Sequence, residues 1–186
     1  MKPTELGATF QIPKFAAQVE LLLVDKRRLS GKLFLSIIPS SPLGHIPLLD
    51  SMNESVDFFP FLPNDSTETE ILSKWAVIEA VVDTELNQDE IGESLEQTTW
   101  IESVEVRCHP YLTLTGRVMI DLPPDRSRVL DFLNQHVCFF ALKRDEKSHI
   151  INKKYITSVK ELTSLPTSAP TAKRARRDTR RTGKKP

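Results

Sequence analysis

The densest chemistry in this sequence is cationic and lies at its C-terminal end. Lys173, Arg174, Arg176, Arg177, Arg180, Arg181, Lys184 and Lys185 fall within residues 167–186, which hold a single acid, Asp178. A polycation of this kind neutralises phosphates and releases their counterions, which gives affinity without reading a sequence. These eight residues are the candidate polyanion-binding element. A tail that only solubilises, or that folds back on the chain's own acids, accounts for the same charge. The whole chain balances 25 Lys and Arg against 25 Asp and Glu. Removing the eight bases and one acid of the tail leaves 17 bases and 24 acids, so an acidic body carries a basic appendage.

A second set of polar residues recurs in pairs. Asp50 and Asn53 stand three apart, and so do Asp131 and Asn134. Such side chains commonly hydrogen-bond nearby backbone and fix a turn or a helix end. A ligand site is the sharper reading. Five phenylalanines follow the same doubling: Phe58, Phe59 and Phe61, then Phe139 and Phe140. Aromatic residues in short strands usually serve the core. In a regular strand, however, one ring of each adjacent pair must face outward, where it would serve as a partner contact or a stacking platform. Asp50, Asn53, Asp131, Asn134, Phe139 and Phe140 are therefore the candidate binding surface.

Catalytic and metal chemistry fare worse. Cys108, His109, His136, Cys138 and His149 are zinc-type ligands, but Cys108 and His109 are adjacent and belong on opposite faces of a strand. No Cys-x-x-Cys spacing exists. Ser, His and Asp occur without a nucleophile elbow, a phosphate-binding loop or a dinucleotide fingerprint, and six glycines leave little room for such loops. The expectation is a protein that is not an enzyme, with no cofactor and no metal.

The elements that position these residues come in two rounds. At an offset of 85, Val19-Glu20 matches Val104-Glu105, and Leu29-Ser30-Gly31-Lys32 matches Leu114-Thr115-Gly116-Arg117. At 81, Leu48 to Asn53 matches Val129 to Asn134, and Phe59-Pro60-Phe61 matches Phe140-Ala141-Leu142. At 79, Ile71 to Lys74 matches Ile150 to Lys153, and Val77 matches Ile156. The landmarks keep their order, which is the signature of an internal duplication with loop insertions in the first copy. Each copy reads as strand, Gly, strand, short helical turn, aromatic strand, closing strands. Val104, Val106 and Cys108 alternate with Glu105, Arg107 and His109, the two-residue period of a half-buried strand. Pro123-Pro124 stops the next strand, and Lys143 to Ser148 is the polar tip of a hairpin.

With these residues in hand, the second copy resembles a small bacterial β-domain of unknown function. The resemblance rests on Gly116, on Arg128-Val129-Leu130-Asp131-Phe132-Leu133-Asn134, on Phe139-Phe140 and on Asn152-Lys153-Lys154-Tyr155-Ile156. The first copy departs from it, with Pro47 at the place of Arg128 and Ser73 at that of Asn152. Five short strands with a helical turn suit an SH3-like or Sm-like barrel. Sm-type barrels are similar in placing an Asp and an Asn near a nucleobase pocket, although the spacing here is one residue short. The resemblance implies a fold and brings no activity with it.

The expected architecture is all-β: two tandem small SH3-like/Sm-like β-barrel repeats with short helical turns and a disordered basic C-terminal tail. An N-terminal extension covers 1–18, repeat one 19–82, an acidic linker 83–103, repeat two 104–163 and the tail 164–186. Two cysteines exclude a disulfide-stapled mini-domain. No apolar run approaches the ~18 residues of a membrane span. The start has two prolines and no apolar leader core, so a cytoplasmic protein without a membrane partner is expected. The expected function is a non-catalytic protein-interaction or regulatory adaptor with a protein partner. The alternative is a nucleic-acid-binding protein that uses the tail and the barrel surfaces.

Overall fold

A period of two governs the first strand. Val19, Leu21 and Leu23 are buried while Gln18 and Glu20 are exposed. Such alternation commits one face to a core and leaves the other to water or to a second partner. In the computed structural model of the 186-residue chain, which describes residues 13–41, 44–83, 99–123, 125 and 128–162, this pattern forms β1 (Lys14–Leu23). β2 (Arg28–Ser36) returns antiparallel to it. The turn between them puts Lys26 at a φ of 72°, and the Asp25 carboxylate fixes it by accepting from the Arg27 N–H at 3.0 Å.

There follow α1 (Leu48–Asn53), β3 (Phe58–Pro63), β4 (Glu70–Ser73), a single 3-10 turn (Lys74–Ala76) and β5 (Val77–Asp83). The second half repeats the order with β6 (Thr99–Cys108), β7 (Leu112–Asp121), α2 (Val129–Leu133), β8 (Phe139–Arg144), β9 (Lys147–Asn152), a 3-10 turn (Lys153–Tyr155) and β10 (Ile156–Glu161). Cys108 is buried and His109 exposed, as their adjacency on a strand requires. β1 starts inside the span expected as an extension. β5 reaches Asp83 and β6 begins at Thr99, so strand claims both ends of the span expected as a linker. The rest of that linker, 84–98, residue 163 and the basic tail, 164–186, lie outside the described residues.

All ten strands form one open antiparallel sheet in the order β10-β6-β7-β8-β9-β5-β1-β2-β3-β4. Each half contributes the same internal order, closing strand first: β5-β1-β2-β3-β4, and β10-β6-β7-β8-β9. The correspondence reaches single residues. A register shift falls between Leu22 and Leu23 where β1 meets β5, and another between Ile156 and Ser158 where β10 meets β6. Gly31 and Gly116 also do the same work. A Cβ at Gly31 would stand 2.3 Å from the Leu62 carbonyl oxygen, and one at Gly116 would stand 2.5 Å from that of Lys143. The neighbouring strand crosses there too closely for any side chain.

Hydrogen bonding does not stop between the halves. β5 pairs with β9, from Glu79 opposite Ile151 to Asp83 opposite Lys147. The composition of β5 explains why it needs neighbours on both edges and cover on both faces. Val77, Ile78, Ala80 and Val82 leave almost no polar face, and a strand buried on both sides reads as a near-continuous apolar run. Two apolar clusters result, and each draws on both halves. Phe139 and Ile150 of the second half belong to the cluster built on β1, β2 and α1. Ile78 of the first half belongs to the cluster built on β6 and β7.

Candidate protein-interaction site

The seam between the halves is assembled by α1, β5, β8 and β9. α1 is too short to stand by propensity alone. It buries Leu48 and Met52 against the sheet, and its C-terminal carbonyls are taken by a lysine from another element. The Lys74 ammonium donates to the Ser51 carbonyl at 2.7 Å and to the Glu54 carbonyl at 2.9 Å. Lys153 does the same for α2, donating to the Gln135 carbonyl at 3.1 Å and the Phe132 carbonyl at 3.5 Å. A cation at a helix C-terminus satisfies carbonyls that have no partner within the helix. Burial holds the ammonium groups of Lys74 and Lys153 below the usual lysine range.

Asn53, at the end of α1, reaches across the seam. Its Oδ1 accepts from the Cys138 N–H at 3.0 Å and the Phe139 N–H at 2.9 Å, and its Nδ2 donates to the Phe139 carbonyl at 3.0 Å. A local turn or cap is the ordinary use of such an Asn, but here the partners lie 85 and 86 positions away. Beside it, Asn152 is buried and donates to the Val77 carbonyl at 3.0 Å, and His149 Nδ1 lies 2.7 Å from the Glu79 carboxylate. The Tyr155 hydroxyl donates to the Trp75 carbonyl at the far end of the seam.

A cleft of about 380 Å³ opens over the seam between α1 and the β8–β9 hairpin. It gathers four of the residues singled out from the sequence: Asp50, Asn53, Phe139 and Phe140. Asp131 and Asn134 are not part of it. They line a separate shallow groove beside α2, with Leu122 and Gln135. The polyanion candidates Lys173, Arg174, Arg176, Arg177, Arg180, Arg181, Lys184 and Lys185 lie outside the described residues.

Phe139 and Phe140 require a correction. One ring of the pair was expected to face a partner, but both are buried, Phe139 with 1% of its surface exposed. The alternation holds, because Phe140 packs into the second cluster and Phe139 points the other way. What covers Phe139 is the first half of the same chain. Ile150, opposite Ala141 on the neighbouring strand, is covered in the same way and is 2% exposed. Burial of two such side chains stabilises by about 1.5–3 kcal/mol each.

The matching positions in the first half have no such cover. Phe58 stands opposite Ser73 as Phe139 stands opposite Asn152, and Ile71 opposite Pro60 as Ile150 opposite Ala141. Phe58 is 62% exposed and Ile71 68%. They lie on the rim of the sheet, where β4 has one bonded neighbour, β3, among the described residues. At the other rim β10 has one bonded neighbour, β6, among the described residues. Phe58 and Ile71 were not singled out from the sequence as an exposed pair. Their signal was the offset itself, which aligns them with Phe139 and Ile150.

No protein-family model, no curated protein and no solved structure matches this chain. Within the described residues, no helix is long and apolar enough to cross a membrane, and no three His, Cys, Asp or Glu side chains group as metal ligands would.

Proposed function

We propose that this chain is a non-catalytic protein-interaction or regulatory adaptor, built by tandem duplication of a small SH3-like or Sm-like β-unit, that binds by strand addition at its sheet rims. The observation that carries this reading is the exposed Phe58–Ile71 pair on the β3–β4 rim. Its counterparts, Phe139 and Ile150, are buried by a strand pairing of the same kind. Exposed apolar residues beside an open strand edge are the elements of β-augmentation, in which main-chain bonds supply affinity and side-chain pockets supply choice. The titratable groups at the seam support a binding role over a catalytic one. Glu79 with His149, and Lys74 with two carbonyls, are engaged in holding the two halves and the helix end.

The test is a photoreactive residue placed at position 71, with position 113 on β7 as the control. A single identified protein crosslinked through 71 and not through 113, and lost on Phe58→Ser, supports the reading. Equal crosslinking from both positions overturns it.

The second reading, nucleic-acid binding, rests on the eight bases of 173–185. Replacing all eight with Gln should abolish binding to a labelled nucleic-acid pool. The wild-type chain should lose affinity with a log–log salt slope of about −0.7 to −0.9 per phosphate contact.

A further inference from the structure

We infer that the protein assembles head to tail with further copies of itself, the β10 rim of one chain receiving the β4 rim of the next. This rests on the strand-addition reading above and names its partner. The β5·β9 seam is already such a junction, formed once within the chain. β10 stands in its half where β5 stands, and β4 where β9 stands. Every chain therefore ends in the two complementary sides of a junction whose geometry is on display in its own centre.

Side chains on both rims fit that role. Carrying the β5·β9 register outward places Ser158 opposite Leu72, Val159 opposite Ile71 and Lys160 opposite Glu70 of the neighbouring copy. The last pair is oppositely charged and both members are exposed. A lysine on a rim strand discourages indiscriminate pairing, and opposite a glutamate it favours this one. Val159 corresponds to Ala80, which is fully buried and stands opposite Ile150 of β9.

The helices complete the correspondence. Asn134 ends α2 as Asn53 ends α1, and it is exposed. In the assembly it meets the backbone at Asp57 and Phe58 of the neighbour, the positions that match Cys138 and Phe139. Leu130, 65% exposed, takes the place that Leu49 holds against the first cluster. The shallow groove at Asp131 and Asn134 is then half of a seam cleft, and the neighbour's Phe58 and Ile71 supply the other half. Three side-chain bonds of the seam are not repeated. Ser73 is too short to make the bond that Asn152 gives Val77, Glu70 and Ser158 stand where His149 and Glu79 pair, and Ala76 stands where Tyr155 reaches Trp75, so the outer junction is weaker than the inner one and depends on concentration.

The two rims differ from each other, so the contact is heterologous. It closes into a ring if the rotation per copy permits, and otherwise extends as a filament.

Full-length protein would be measured by analytical ultracentrifugation from 1 to 200 µM (roughly the span in which micromolar affinities resolve). Two variants accompany it. Phe58→Ser/Ile71→Lys disables the β4 rim at exposed positions. Ser158→Glu/Lys160→Glu on the β10 rim sets one carboxylate opposite Glu70 and a second opposite Leu72, diagonal to Glu70. Circular dichroism and melting curves confirm that each variant is folded. Wild type should form species larger than a monomer. The first variant should be monomeric throughout, and the second should associate at least tenfold more weakly. Mixed, the two variants share one intact junction and should give a one-to-one dimer that stops there. A wild type that is monomeric at 200 µM, variants that assemble like wild type, or a mixture that yields no dimer would each overturn the proposal. If the wild type stays monomeric while position 71 still crosslinks a different protein, the adaptor reading stands and only self-assembly falls. If neither occurs, both fall.

Discussion

The Asn53 side chain binds the backbone of Phe139 as a neighbouring strand would, accepting its N–H at 2.9 Å and donating to its carbonyl at 3.0 Å. One amide thereby fastens α1 of the first half to β8 of the second. It accepts from the Cys138 N–H as well. Replacing it with Ala leaves backbone donors without an acceptor in a half-buried seam, at about 1–3 kcal/mol for an unsatisfied group. Asn53→Ala should lower the unfolding free energy measured in urea by an amount in that range or above it. Asn134→Ala, at the matching but exposed position, should change that free energy for the monomeric protein by less than about 0.5 kcal/mol. Equal losses would show that Asn53 acts locally.

Lys74 tests the helix anchor. Lys74→Met keeps most of the buried stem and removes the donor from the Ser51 and Glu54 carbonyls. Hydrogen bonds from a charged donor are worth about 1.5–3 kcal/mol, partly offset here by relief of a buried charge. The expected loss is about 1–2 kcal/mol. Lys153→Met should cost less, because its bonds at 3.1 and 3.5 Å are longer and the residue is only half-buried. Chemical denaturation of the two variants side by side would reveal that order or its reverse.

Gly31 and Gly116 yield to no other residue. Alanine at either position brings a methyl group within 2.5 Å of a backbone carbonyl, which cannot rotate away. Gly31→Ala and Gly116→Ala should each destabilise by about 1–3 kcal/mol through forced backbone shifts. Gly44, where φ is +71° and nothing lies within 4 Å, makes a useful contrast, because strain there is purely conformational. Thermal melts at a fixed pH would rank the three.

Cys108 supplies a pH signature. Burial pushes its thiol up from 9.0 to about 11, with the Glu79 carboxylate adding to the effect. The folded state keeps this proton above the pH at which the unfolded chain releases it. The stabilisation is complete below about pH 9 and is lost as pH rises from there through about 11. Between those values the melting temperature of wild type should fall more steeply than that of Cys108→Ala. Parallel curves would mean that the thiol is not protected. At pH 8 a thiol reagent should modify Cys108 only as fast as the protein opens.

Much of the fold was legible in the sequence, and for local reasons. Alternation in Val104 to His109 specified a half-buried strand. Lys143 to Ser148 specified the tip of a hairpin, between β8 and β9. The offsets of 81 and 79 set Phe59 beside Phe140 and Leu72 beside Ile151, and in the sheet Phe59 stands opposite Leu72 as Phe140 stands opposite Ile151. Each of these signals is carried by near neighbours or by simple comparison of one stretch with another.

The seam was a different matter. The sequence marked Asn53 and Phe139 as notable and gave each a local meaning, a turn for one and an exposed ring for the other. Only the tertiary structure joined them. A hydrogen bond across 86 positions leaves no periodicity, and the face of a strand that meets solvent in one half of the sheet is covered by the other half in the second. Phe58 and Phe139 are the same residue at the same place in their strands, one exposed and one buried. The amino-acid sequence determined the strands and their inward faces. What covers the outward faces was decided by how the strands pair, because an open β edge accepts any complementary edge within reach and the chain supplies one of them itself.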